Sequence, residues 1–185
     1  MTEASTAATM SPWPKKARGP RHLVVMGVSG GGKTTIAMML AGKLGYIFAE
    51  GDEFHSEANR EKMRSGTPLN DDDRAPWLQS IQDWMTAEAQ VGHSTVVTCS
   101  ALKRKYRDVL RGAEGSTIFV HMAPPVDLTL ERMNRRKGHY MPASLLDSQI
   151  DTLEELEPDE DGFKVHNVGT PTEVLAEVLD HLKDR

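Results

Sequence analysis

The sequence has a single cysteine, Cys99, and so cannot build a disulfide framework within the chain; a lone thiol suits a reducing cytoplasm. It also lacks any apolar run approaching the length of a membrane span. Residues 1–20 lack the hydrophobic stretch of a signal peptide, although Lys15, Lys16 and Arg18 are basic. A large excess of one charge is missing too. With 22 Lys and Arg against 27 Asp and Glu, the formal net charge is -5, which argues against wholesale nucleic-acid binding and against adhesion to an anionic membrane. Small-molecule partners are expected, with no nucleic acid and no membrane; a homodimer stays open. Internal repeats are absent, and the only biased segment is the Ala-, Ser-, Thr- and Pro-rich stretch 1–20, which has too little apolar surface to offset ordering entropy and is expected to be a flexible tail.

What remains, residues 21–185, suffices for one α/β domain with a buried sheet and is too short for two. Short apolar runs at 22–28, 46–49, 95–99, 117–122 and 163–168 read as five strands. They are rich in Val and Ile with little alternation, as suits a parallel sheet with helices on both faces. Between them lie helical patterns. Residues 33–44 carry Ile36, Met39, Leu40 and Leu44 on one face and stop at Gly45, a left-handed cap. A long helix is expected from about Arg74, after three aspartates, with Trp77, Ile81, Trp84 and Met85 on its core face. Further helices are expected at about 102–111, 126–135, 143–156 and 172–183.

The sharpest chemical signal is Gly27-Val28-Ser29-Gly30-Gly31-Gly32-Lys33-Thr34, which follows a strand and opens a helix. A polyphosphate must be wrapped by backbone N–H groups, and only a loop with little side-chain bulk can bring them close. The candidate nucleotide-binding set is therefore Gly27, Ser29, Gly30, Gly31, Gly32, Lys33, Thr34 and Thr35. Lys33 is expected to reach the β- and γ-phosphates of ATP, and the Thr34 hydroxyl to hold Mg²⁺, with the positive helix N-terminus adding to both.

A nucleotide switch or motor would use the same cradle, but the accompanying motifs are missing. No guanine-binding Asn-Lys-x-Asp occurs, and neither central strand ends in a Walker B aspartate: one runs Val96-Val97-Thr98-Cys99-Ser100, the other Phe119-Val120-His121-Met122. A small-molecule kinase is the better reading.

After the second strand come Glu50-Gly51-Asp52-Glu53-Phe54-His55, then Asn59, Lys62, Met63, Gly66, Pro68 and Leu69, then Asp71-Asp72-Asp73-Arg74-Ala75-Pro76-Trp77-Leu78. With Cys99-Ser100-Ala101-Leu102-Lys103, Tyr106-Arg107-Asp108, Gly138-His139-Tyr140-Met141-Pro142, Leu145-Leu146 and Ser148-Gln149, these blocks closely resemble the gluconokinases of the P-loop kinase class. The resemblance runs from about Leu23 to the C-terminus. It implies a P-loop kinase fold with sheet order 2-3-1-4-5, an acceptor-binding segment at about 51–78, and a lid after strand four at about 132–145. It also implies ATP-dependent phosphorylation of gluconate to 6-phosphogluconate. Shikimate kinase and nucleoside monophosphate kinases share the architecture and are the alternatives.

On that resemblance Asp52 orients the acceptor hydroxyl and takes its proton, and touches the Mg²⁺ shell through water. Arg74, whose planar fork can hold a carboxylate while Asp71 or Asp73 fixes it, binds the sugar acid, with Lys103 as a second cation. His55 and Lys62 hydrogen-bond the polyol chain. In the basic stretch Arg132, Arg135, Arg136, Lys137 and His139, helical spacing selects Arg132 and Arg136 to face the transferring phosphoryl group. The loop Asn167-Val168-Gly169-Thr170-Pro171 is expected to flank the adenine.

Overall fold

The computed structural model describes residues 19–135 and 143–185. In chain order the elements are β1 (Arg21–Met26), α1 (Lys33–Leu44), β2 (Ile47–Glu50), α2 (Glu57–Arg64), α3 (Asp71–Gln90), β3 (Thr95–Thr98), α4 (Arg104–Arg111), β4 (Ser116–Met122), α5 (Val126–Arg135), α6 (Ala143–Thr152), β5 (Gly162–Val165) and α7 (Pro171–Leu182). The five strands pair in the order β2-β3-β1-β4-β5, parallel throughout, as the resemblance implies.

Why the strands show so little alternation is visible in β1. Leu23 and Val25 point into one layer with Ile36, Leu40, Val174 and Val178, whereas Val24 and Met26 point into the other with Trp77, Ile81, Met85 and Leu110. Side chains still alternate with period two, but both faces are covered, so both sets are apolar. In register, Leu23 lies between Val96 of β3 and Ile118 of β4. Each fully buried side chain of this size contributes roughly 1.5–3 kcal/mol.

Several boundaries depart from expectation for local reasons. Helix α3 begins at Asp71 rather than near Arg74, because Asn70 caps it: its side chain accepts from Asp73 N–H while Asp73 accepts from Asn70 N–H. Helix α4 begins at Arg104, not at residue 102, since Ala101 takes a left-handed φ of 45° and Lys103 is still extended. Strand β5 stops at Val165 and the chain turns at Asn167, φ 46°. Helix α6 ends at Thr152, where Glu154 N–H leaves the helix for Leu102 O at 2.7 Å. Helix α2 was not expected at all. It is polar along almost its whole length, so it lacks an apolar stripe, and its only sequence mark is the Ser56 cap, which accepts from Asn59 N–H.

All four connections that matter for chemistry, after β1, β2, β3 and β4, leave the carboxyl edge of the sheet, where ligands bind in open α/β folds. The expected tail falls outside the described residues apart from Gly19 and Pro20, and so does the middle half of the expected lid, residues 136–142, including Arg136, Lys137 and His139.

Candidate active site

The cradle forms where β1 ends and α1 begins. Gly32 caps α1 with φ 79°, and no side chain caps this helix. A Cβ on Gly32 would fall 2.6 Å from Asn167 Nδ2, so only glycine allows both the left-handed turn and the approach of the Asn167 loop. Asn167 in turn donates to Gly31 O at 2.6 Å, tying the turn after β5 to the cradle. Lys33 folds over its own loop, its ammonium 2.9 Å from Gly27 O and 3.1 Å from Val28 O. Thr34 donates its hydroxyl to Glu50 Oε1 at 2.7 Å, bringing the last residue of β2 to the first turn of α1. Thr35 is exposed one residue further along.

The turn after β2 carries Asp52. It is pinned from both sides: Gly51 N–H donates to Thr98 Oγ1 at 3.0 Å, and Trp77 Nε1–H donates to Gly51 O at 2.8 Å. A Cβ on Gly51 would sit 1.8 Å from Thr98 O, so the turn needs glycine to press this closely on β3. The indole responsible comes from α3, so burial of Trp77 in the core also sets the position of Asp52.

Ser29, Lys33, Glu50, Asp52, His55 and Arg74 line one cleft of about 110 Å³. Its walls are completed by Trp77 of α3, Thr98 to Ser100 after β3, and Ser148, Gln149 and Thr152 of α6. Such a volume holds several waters, at roughly 10–15 Å³ each, and so takes a short polar chain in their place. The acceptor candidates and the cradle therefore face each other on the same side of the sheet.

Not every expected residue reaches that cleft. Lys62 is drawn away to Asp73, its ammonium 2.9 Å from both carboxylate oxygens. Lys103 stands at the start of α4, 3.5 Å from Asp71 and 5.7 Å from the centre of the Tyr106 ring. Arg74 is in the cleft, but the expectation that Asp71 or Asp73 fixes it directly needs correction. Asp73 is committed to Lys62 and the helix cap, and Asp71 to Lys105, Lys103 and Tyr106. Tyr106 stands between: it accepts from Arg74 Nη1 at 3.1 Å and passes its own proton toward Asp71. Hydrogen bonds from Lys105 and Tyr106 hold the Asp71 carboxyl well below its usual range, while burial and Asp71 push the Tyr106 phenol up to about 12.

On the nucleotide side Arg132 donates to Asn167 O at 3.0 Å, and its Nη1, buried and without a partner among the described residues, faces the first turn of α1. Arg135 is exposed and pairs with Glu131. Two contributors went unassigned in the sequence. Glu50 is one, although a carboxylate ending a strand beside the cradle was a usable signal. The other is Gln149, whose Oε1 accepts from Ser29 N–H at 2.7 Å; nothing in its spacing marks a contact 120 residues away. Cys99 is buried with its thiol pushed up to about 12 by burial, an inert core residue.

Comparison with known proteins agrees with this arrangement. A family model described as an AAA domain matches residues 23–156. The gluconokinase of Gluconobacter oxydans (strain 621H) is 51% identical over 164 residues, covering 89% of this chain and 92% of that protein. Among solved structures, a sugar kinase from Janibacter sp. HTCC2649 superposes with a TM-score of 0.85 at 52% identity, over 88% of this chain and 94% of that one. A gluconokinase from Sinorhizobium meliloti 1021 superposes with a TM-score of 0.80 at 42% identity, over 89% and 93%.

Proposed function

The chain belongs to the gluconokinase family, and from that premise we infer that its cleft passes the γ-phosphoryl group of ATP to a gluconate hydroxyl, giving 6-phosphogluconate. The observation that carries the reading is the single cleft shared by Lys33 of the cradle with Asp52 and Arg74 of the acceptor wall.

In-line phosphoryl transfer asks little covalent chemistry of the protein; it asks for alignment and for charge where the transition state develops it. Backbone N–H groups of 27–34 hold the ATP phosphates. Lys33 swings from its own loop carbonyls onto the β- and γ-phosphates, a short move for a flexible ammonium. Asp52, on its pinned turn, orients the attacking hydroxyl and receives its proton as the oxygen–phosphorus bond forms. Arg74 grips the gluconate carboxylate, with Lys103 adding positive charge from the rim and His55 lining the cleft beside Arg74. Lys62 acts at one remove, through Asp73. Arg132 turns its unpartnered nitrogen to the nucleotide phosphates, and Arg136, outside the described residues, is assigned to the same side.

Mg²⁺ fits the residues present. Thr34 and Glu50 put a hydroxyl and a carboxylate within 2.7 Å of each other beside the cradle, and Asp52 shares the cleft with Glu50 and can add a contact through water. No group of three or more His, Cys, Asp or Glu among the described residues could cage a metal, as suits an ion held mainly by phosphates and water. When bound, the ion neutralises charge on the phosphate oxygens.

A single buried cysteine, and the absence among the described residues of a helix long and apolar enough to cross a membrane, fit a cytoplasmic enzyme. The deciding experiment is ADP release from the purified protein with ATP, Mg²⁺ and gluconate, glucose, shikimate or a nucleoside monophosphate. Gluconate is expected to be phosphorylated and glucose to be a poor acceptor, because each charge-assisted hydrogen bond is worth roughly 1.5–3 kcal/mol. Equal rates with glucose would remove the basis for a carboxylate site.

A further inference from the structure

We infer that Asn59 is a positioning residue: it locks the His55 ring as a one-way hydrogen-bond donor aimed at the carboxylate of the acceptor. The inference rests on the gluconate reading above and adds to it a residue and a device that the sequence did not mark.

Asn59 opens no cleft itself. It sits in α2, 5% exposed, with its Nδ2 2.8 Å from Asp73 O and 3.2 Å from His55 Nδ1. A backbone carbonyl can only accept, so the end of the carboxamide facing Asp73 must be the NH₂ group. One of its hydrogens goes to Asp73 O, and the other points at His55 Nδ1. That ring nitrogen therefore offers a lone pair, and in an uncharged imidazole the proton must then be on Nε2.

A half-turn about Cβ–Cγ would set a C–H against the Asn59 NH₂ and lose that hydrogen bond, which favours this orientation of the ring. The ring stacks on Trp77 with centroids 4.1 Å apart and planes 16° from parallel, and the indole is itself held by Gly51 O. Burial, with Arg60 and Arg74 adding repulsion, lowers the His55 pKa to about 4, so the ring stays neutral through the working range. No acceptor for Nε2–H occurs among the described residues, and Nε2 is not among the buried polar atoms left without a partner. His55 is a wall of the cleft, as is Arg74, so this N–H opens onto the space where the substrate lies.

The direction of the hydrogen bond matters for selection. A hydroxyl donates or accepts, so a polyol is indifferent to the tautomer of a histidine beside it. A carboxylate only accepts, and is served by a permanent donor and opposed by a ring lone pair. A locked Nε2–H beside Arg74 thus favours an acid end group without adding a further buried charge that would have to be desolvated.

Nitrogen-15 spectra of the full chain test the lock directly, with His55 assigned by its loss in His55→Gln. Wild type is expected to show a pyridine-like Nδ1 and a pyrrole-like Nε2 from pH 8 down to about 5; the opposite or an averaged pattern would overturn the inference without any variant. In Asn59→Leu the two tautomers should average, and the gluconate KM should rise about tenfold while kcat and the ATP KM stay near wild type. His55→Gln, whose amide reaches the place of Nε2, should keep more gluconate affinity than His55→Asn, whose amide reaches only that of Nδ1. An averaged spectrum with an unchanged gluconate KM in Asn59→Leu would sink the proposed role. Wild type inactive on gluconate would sink the acceptor reading together with it, whereas the wrong tautomer in an enzyme fully active on gluconate would sink this inference alone.

Discussion

Thr34 and Glu50 are joined by a 2.7 Å hydrogen bond from hydroxyl to carboxylate, although 16 residues separate them and one stands at the start of α1 and the other at the end of β2. The contact exists because β2 runs parallel to the central strands and releases its last residue beside the first turn of α1. Hydroxyl and carboxylate together are the natural oxygen ligands for a hard cation. Glu50→Gln should therefore raise the Mg²⁺ concentration needed for half-maximal turnover, by about tenfold or more, while leaving thermal stability near wild type. Mg²⁺ titrations of the two proteins measure this; superimposable curves would remove Glu50 from the metal site.

Lys33→Ala and Asp52→Asn should each abolish most turnover in a folded protein. The first deletes the charge that faces the phosphates, the second the carboxylate that receives the proton. Steady-state assays together with circular dichroism check both. Asp52→Asn with unchanged kcat would end the role assigned to it.

Arg74→Ala should raise the gluconate KM by one to two orders of magnitude with a smaller change in the ATP KM, the mark of lost acceptor binding. Tyr106→Phe should do the same more weakly. It removes the hydroxyl that aims Arg74 but keeps the ring 5.4 Å beneath the guanidinium. A Tyr106→Phe effect confined to ATP would show that the phenol does not act through Arg74.

Glu160→Ala should cost about 3–5 kcal/mol of stability, read as a lower urea midpoint. Arg107 and Glu160 have fully buried side chains and form two hydrogen bonds, at 2.6 and 3.0 Å. The guanidinium also donates to the carbonyls of Ala101, Leu102, Glu154 and Glu155. Burial works against the Glu160 charge, yet Arg107 holds its carboxyl below the ordinary value. Removing the acid leaves an arginine buried without its counter-charge. A loss under 1 kcal/mol would mean that water enters and screens it.

Acid should destabilise the fold between pH 6.5 and 4. His55 and His121 are buried and neutral, each with a pKa lowered to about 4 chiefly by burial, and that of His22 is lowered for the same first reason. Unfolded histidine takes its proton near 6.5, so in this window the unfolded chain binds more protons than the folded one. Their contribution is complete above pH 6.5, declines as pH falls toward 4, and is gone below it. Each of His55 and His121 accounts for roughly 3 kcal/mol at most. Urea midpoints measured from pH 7.5 to 4.5 should fall steadily, and a flat profile would contradict the burial argument.

Much was legible without coordinates because it depends on neighbours in the chain. The cradle of 27–34 is a contiguous run in which each residue type answers a local demand, and the Val- and Ile-rich strands declare a sheet covered on both faces. Helix α2 was hidden because its residues bury almost nothing, and periodicity reads burial. The start of α4 was misjudged because a left-handed alanine, held by a buried arginine, carries no mark in sequence.

Local order along the chain thus determined the class of fold, the phosphate loop and the kinds of residue available for an acceptor. Which of those residues meet was decided only by tertiary packing. Lys62 and Arg74 are both cations near the same aspartates, yet one is captured by Asp73 while the other is turned into the cleft by Tyr106. Glu50, Asn59 and Gln149 gained their partners from elements 16, 14 and 120 residues away. The physical reason is distance: hydrogen bonds and ion pairs act over a few ångströms, and sequence spacing sets such distances only within a turn or a helix.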